Sequence, residues 1–189
     1  CAVIGISEKG KLDIELEAKS EGGHSSAPPR HTPVGVIARA VCRIEDHPFP
    51  MSFAPAAKGM LDSLGRQSSS FGIRLIFANL WLFSPLVKKL FGSKGGEMNA
   101  LLRTTCAVTM AEGSKQVNVL PSKATAGINL RLNTGDTVES ALARIGKTVG
   151  DDSVSVKVLY GMDPSPSSDT DSPYYRLLET VIYENWPGT

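Results

Sequence analysis

KLDIELEAK, residues 11–19, places Leu12, Ile14, Leu16 and Ala18 on one face and Asp13, Glu15 and Glu17 on the other. Side chains alternate across a strand, so this period of two predicts a strand with one face in a core and the other in water. The apolar run before it, CAVIGIS, is turned back by Glu8-Lys9-Gly10, which predicts a second strand and makes residues 1–20 a hairpin. On the other side stands a tight turn, EGGHSSAPPR (21–30), rich in glycine, serine and proline. Thr32 then caps a helix with Pro33 at its first position, and Val34, Ile37, Ala38, Val41 and Ile44 form its apolar stripe.

Farther along, strand patterns return over 102–110 and 124–132, the latter with Ala124, Ala126, Ile128, Leu130 and Leu132 inward and Thr125, Gly127, Asn129 and Arg131 outward. Thr137 caps a second helix with the stripe Val138, Ala141, Leu142, Ile145 and Val149, and residues 153–160 follow as a strand through Val154, Val156 and Val158. Helices alternating among mostly antiparallel strands predict an α+β fold. Its form is a ferredoxin-like two-layer sandwich, an antiparallel sheet with helices on one face, plus a helical insertion over 49–100.

That insertion holds FGIRLIFANLWLFSPLVKKLF (71–91), with Arg74 and Asn79 inside it and Pro85 near its middle. A spanning helix needs about 20 predominantly apolar residues, and this stretch is interrupted before that length. It reads as a buried helical pair covering the sandwich or a partner domain. The alternative is an amphipathic surface that touches lipid or an apolar substrate. GSKGGE (92–97) reads as a flexible loop.

Lys and Arg number 20 against 19 Asp and Glu, with no basic block, which excludes the electrostatic footprint of a nucleic-acid binder. Cys1, Cys42 and Cys106 are far apart and odd in number, so neither a disulfide framework nor a cysteine zinc site is indicated. An apolar opening without Met suggests a piece of a longer protein. At the other end YYRLLETVIYENW puts Tyr174, Leu177, Leu178, Val181, Ile182 and Trp186 near one helical face before Pro187-Gly188-Thr189, a helix whose core lies elsewhere.

An enzyme needs a nucleophile with its base, paired carboxylates, or a metal with several ligands. His24, His31 and His47 show no metal-binding spacing, so the chain alone is expected neither to bind metal nor to catalyse. Two features remain. In Gly22-Gly23-His24-Ser25-Ser26 the glycines allow unusual backbone angles, so the imidazole can project from a strand end, although a lone loop histidine is usually just solvated. Asn118-Val119-Leu120-Pro121 ends a loop, and Arg131 follows on the polar face of the next strand. There it forms either a surface ion pair or a planar fork for a carboxylate.

EKG (8–10), GGHSS (22–26), TPVGVIARAV (32–41) and NVLPSKATAGINLRL (118–132), in this order, resemble the lid or dimerisation domain of the M-twenty (M20) family of zinc metallopeptidases, which includes aminoacylase, carboxypeptidase S and succinyl-diaminopimelate desuccinylase. The length of the insertion most resembles the carboxypeptidase S branch. The resemblance implies that His24 reaches into a zinc site, commonly that of the partner subunit, and helps hold the tetrahedral oxyanion. It implies that Gly23, Asn118 and Arg131 help bind the substrate's backbone and carboxylate. The zinc ligands and glutamate base of the family have no counterpart here, so zinc belongs to a parent protein, where metal-bound water would attack an amide carbonyl.

The expected organisation is a lid and dimerisation domain over 1–163 and the start of a returning catalytic-domain segment over 164–189. The expected partners are a second copy of the chain, its own catalytic domain, and a small N-acyl amino acid or peptide substrate. The alternative of another class is a stand-alone ferredoxin-like module for small-molecule binding or interaction, using Arg131 for a carboxylate.

Overall fold

Residues 11–19 lie at the centre of the sheet, hydrogen-bonded on both sides. The computed structural model describes residues 2–94 and 96–187; Cys1, Gly95, Gly188 and Thr189 lie outside the described residues. In chain order the elements are β1 (Gly10–Lys19), β2 (Gly23–His24), α1 (Pro33–Asp46), α2 (Pro55–Gln67), α3 (Phe71–Ala78), α4 (Leu80–Lys94), α5 (Gly96–Leu102), β3 (Thr105–Glu112), β4 (Val119–Leu120), β5 (Lys123–Leu132), α6 (Val138–Val149), β6 (Val154–Met162) and α7 (Pro173–Asn185). The main sheet runs β3-β5-β1-β6, antiparallel throughout, with α1 and α6 against one face. This is the ferredoxin-like sandwich that the alternating strands and helices predict.

Leu12, Ile14 and Leu16 of β1 and Leu130 and Leu132 of β5 are fully buried against Ile37, Ala40 and Ile44 of α1 and Ala141, Ile145 and Val149 of α6. Both helices start as their capping residues dictate. The Thr32 side chain accepts a hydrogen bond from the Gly35 N–H ahead of Pro33, and Thr137 forms a reciprocal capping box with Ser140.

The expected amino-terminal hairpin does not form. With both edges of β1 taken by β5 and β6, residues 2–9 have no free edge to pair with and are not a strand. Instead they run beside the far end of the chain: the Ser165 and Ser168 N–H groups donate to the carbonyls of Glu8 and Ile6 at 3.0 and 2.7 Å. Gly10 closes this junction, since a Cβ there would lie 2.6 Å from the Met162 carbonyl oxygen.

Smaller differences have local causes. The buried stripe of α1 includes Ala40, while Val34 and Ala38 face solvent, so the face is rotated from the predicted one. Thr125, expected outward, is buried, flanked in register by Glu17 and Glu112. Val158 is half exposed because β6 is an edge strand. The strand expected from 102 begins at Thr105, because Leu102 completes α5 and is fully buried in the insertion.

The insertion is not a helical pair laid on the sandwich. Its four helices have their own small core, in which Ala57, Leu61, Leu80, Val87 and Leu102 are buried against Phe53, Met60, Ile76, Phe77 and Phe91. Nor do the described residues of 92–97 form a loop, since α4 runs to Lys94 and α5 starts at Gly96; Gly95 between them lies outside the described residues. Lys9 joins the two cores: its half-buried ammonium donates to the carbonyls of Ala100 and Arg103 at the end of α5. Burial pulls the Lys9 pKa down, and the Asp136 charge opposes that shift.

Candidate functional site

Sequence-distant residues meet where β1 and β5 leave the sheet. The Ser20 N–H donates to the Ser122 carbonyl at 2.8 Å and the Ser20 hydroxyl to that of Pro121 at 2.9 Å, after which β2 and β4 pair as a separate two-stranded ribbon. Lys19 is paired with Lys123 but Gly23 with Leu120, so the first strand carries one extra residue between these pairs. That arrangement is a bulge, which re-aims the side chains beyond it. Gly22 provides it, with φ at +71° and its Cα so close to β4 that a Cβ would sit 3.1 Å from the Leu120 carbonyl oxygen. Gly23, at φ +139°, faces open space.

Beyond the bulge His24 lies opposite Val119, and the Ser25 N–H donates to the Asn118 carbonyl at 3.1 Å. The two motifs singled out in the sequence, GGHSS and NVLP, are therefore strands of one ribbon. The imidazole is exposed and held from one side only. The Ser26 N–H donates to its Nδ1 at 3.2 Å, and the Ser26 hydroxyl lies 3.0 Å from the same nitrogen. A backbone N–H can only donate, so Nδ1 is an acceptor and the neutral ring carries its hydrogen on Nε2, the nitrogen farther from the turn. The ring can thus present an N–H donor outward.

Gly22 and Ser26 were singled out in the sequence only as members of the GGHSS turn, with no role of their own. For Ser26 the signal was there: a serine two residues after a loop histidine can close a local side-chain turn. Gly22→Ala is expected to destabilise the ribbon by about 1–3 kcal/mol through the left-handed backbone. The measurement is faster amide hydrogen exchange at Ser25 and Ser26 with core amides unchanged. Protection equal to wild type would show that the bulge does not hold the turn.

Arg131 is not part of this cluster. It sits near the opposite end of β5, exposed, paired in register with Lys11 and Thr105. A rise of about 3.3 Å per residue puts it about 26 Å from Lys123, where the ribbon departs. Its neighbour Asp13 accepts from Asn129 and is bridged by Lys11 at 2.9 Å. The bonds from Lys11 and Asn129, with the Arg131 charge, hold the Asp13 carboxyl below the usual range. Among the described residues no three His, Cys, Asp or Glu side chains come together as a metal site.

The family model described as "Peptidase dimerisation domain" matches residues 6–156. The N-fatty-acyl-amino acid synthase/hydrolase PM20D1 of Mus musculus is 38% identical over 188 residues, covering 98% of this chain and 37% of that protein. Carboxypeptidase S of Saccharomyces cerevisiae is 28% identical, covering 94% of this chain and 36% of its own length. The chain therefore spans little more than a third of these relatives. Among solved structures, an M20 family metallo-carboxypeptidase from Sulfolobus solfataricus superposes with a TM-score of 0.57 at 17% identity, over 95% of this chain and 50% of that one, a likeness of fold. With a sandwich of this topology and a family match over most of its length, the chain belongs to the peptidase dimerisation domains of the M20 family.

Proposed function

We propose that residues 1–163 are the lid and dimerisation domain, and 164–189 the return to the catalytic domain, of a zinc-dependent amidohydrolase that cleaves N-acyl amino acids or small peptides. The observation that carries the reading is the His24 turn, whose Nδ1 is engaged by Ser26 while Nε2 faces away from the turn. Such a donor suits the oxygen that gains negative charge when an amide carbonyl is attacked. In this reading Asn118, joined to the turn through its carbonyl, contacts the same substrate, and the open space at Gly23 admits the substrate's backbone.

Arg131 grips a substrate carboxylate in this reading, but at a different active site from the one its own His24 serves. The amide carbon and the carboxylate of one amino acid are only about one residue apart, whereas Arg131 and the ribbon lie at opposite ends of the sheet. A homodimer resolves this if each substrate meets His24 and Asn118 of one protomer and Arg131 of the other. The described residues do not fit zinc, so its ligands belong to parts of the parent outside this chain.

The exposed face of α7 favours this over a stand-alone module. No α7 residue is buried, and Tyr174, Leu177, Leu178 and Val181 are all exposed along one side, a face that a catalytic domain would cover. The test is hydrolysis of N-acyl amino acids, long acyl chains included because the Mus musculus relative is named for them, by the full-length protein and by this chain alone. The full-length protein is expected to carry zinc and hydrolyse, and the isolated chain to do neither. A stoichiometric, tight zinc site in the isolated chain would overturn the assignment.

A further inference from the structure

We propose that the outer face of α3 and α4 is a peripheral binding surface for an anionic lipid bilayer. These helices are apolar on two sides. The inner side is satisfied, since Ile76, Phe77, Leu80 and Val87 pack into the insertion's own core with α2. The outer side is not. Phe71 and Trp81 are 78% and 80% exposed, and Leu75, Leu82 and Leu86 are exposed as well. Phe71 with Leu75 and Leu82 with Leu86 stand one turn apart, so each helix presents an apolar row.

Charge identifies the occupant. Residues 63–92 carry Arg66, Arg74, Lys88 and Lys89 and no Asp or Glu; Arg66 is held by Asp62 at 2.9 Å, which leaves Arg74, Lys88 and Lys89 as the cations of this face. Lys88 lies over the Phe53 ring at 5.5 Å, while Arg74 and Lys89 are exposed beside the apolar rows. A second copy of this face would bring like charges together. An apolar face with exposed aromatics and long basic side chains is instead the composition of a surface that rests in the headgroup layer, its rings at the interface and its cations on lipid phosphates.

The geometry favours lying on the bilayer over crossing it. No single described helix is long and apolar enough to span; α3 and α4 have the length and composition for it only as a pair, and they meet at a bend of 111°. The turn comes at Asn79, whose side-chain amide donates to the Leu75 carbonyl at 2.9 Å and closes the end of α3. Both helices can then bury their outer rows to a shallow depth.

The experiment is co-sedimentation of the full-length protein with vesicles of phosphatidylcholine alone and of phosphatidylcholine mixed with phosphatidylserine. Wild type is expected to bind the mixed vesicles more tightly, and added salt to weaken that binding. Phe71→Ser with Trp81→Ser should weaken binding to the mixed vesicles about tenfold or more. Arg74→Glu with Lys89→Glu should remove the preference for phosphatidylserine. All four positions are exposed, so circular dichroism and the melting temperature should stay as in wild type. The proposal is overturned if wild type binds neither vesicle, if the serine pair binds as wild type does, or if both pairs lower the melting temperature, which would assign this face to an intramolecular contact.

Discussion

His24→Ala in the full-length protein is expected to lower kcat by about a hundredfold or more with little change in KM, the loss typical of one oxyanion donor. The Nε2–H would meet the carbonyl oxygen only weakly before attack and strongly once negative charge has formed on it. An interaction made mainly in the transition state appears in kcat. The imidazole is exposed and its one local partner, Ser26, is two residues away, so its removal should leave the melting temperature and the dimer intact. His24→Gln, which keeps an N–H donor on a side chain of different reach, should recover part of the lost rate. A kcat equal to wild type in His24→Ala would reduce the GGHSS turn to architecture. A parallel fall in kcat, melting temperature and dimer would mean that the histidine holds the ribbon.

The sandwich was legible because its signals are local. Strict alternation in residues 11–19 and 124–132 survives as buried rows, and Thr32 and Thr137 cap the helices they were expected to cap. What failed depended on partners that a local pattern does not carry. CAVIGIS has the composition of a strand, yet the edge it would need is taken by β6, which comes from the far end of the chain. The insertion looked like a covering pair because its apolar residues show no single face. Helices apolar on two sides arise when a small core lies on one side and an unfilled surface on the other.

The same limit governs the site. His24 and Asn118 were selected from motifs far apart in sequence, and the ribbon joins them through the Ser25 to Asn118 bond. Arg131 was read with Asn118 as one feature, a turn and the strand after it, but most of the sequence between them is one extended strand, which carries the arginine away at full stretch. Proximity in a strand is distance in space. The bulge at Gly22 was legible as a glycine pair, and both glycines have positive φ, though which of the two makes the close approach became clear only from the pairing of Gly23 with Leu120.

Mixing two impaired variants, assayed at substrate well below KM, is expected to restore activity. His24→Ala and Arg131→Ala homodimers should each hydrolyse poorly, the first through kcat and the second through KM. In the mixed dimer the two defects fall on different sites if each site draws Arg131 from one protomer and His24 from the other. One site then holds both wild-type residues and the other holds both substitutions. Random re-association makes about half of all dimers mixed, each with one working site, so the mixture should reach about a quarter of wild-type activity. If His24 and Arg131 of one chain served the same site, every site in the mixture would carry a defect and activity would stay at the level of the separate variants. The assay therefore tests the opposed placement of the ribbon and Arg131 in solution. Its readout is a gain of function, which misfolding of either variant cannot imitate.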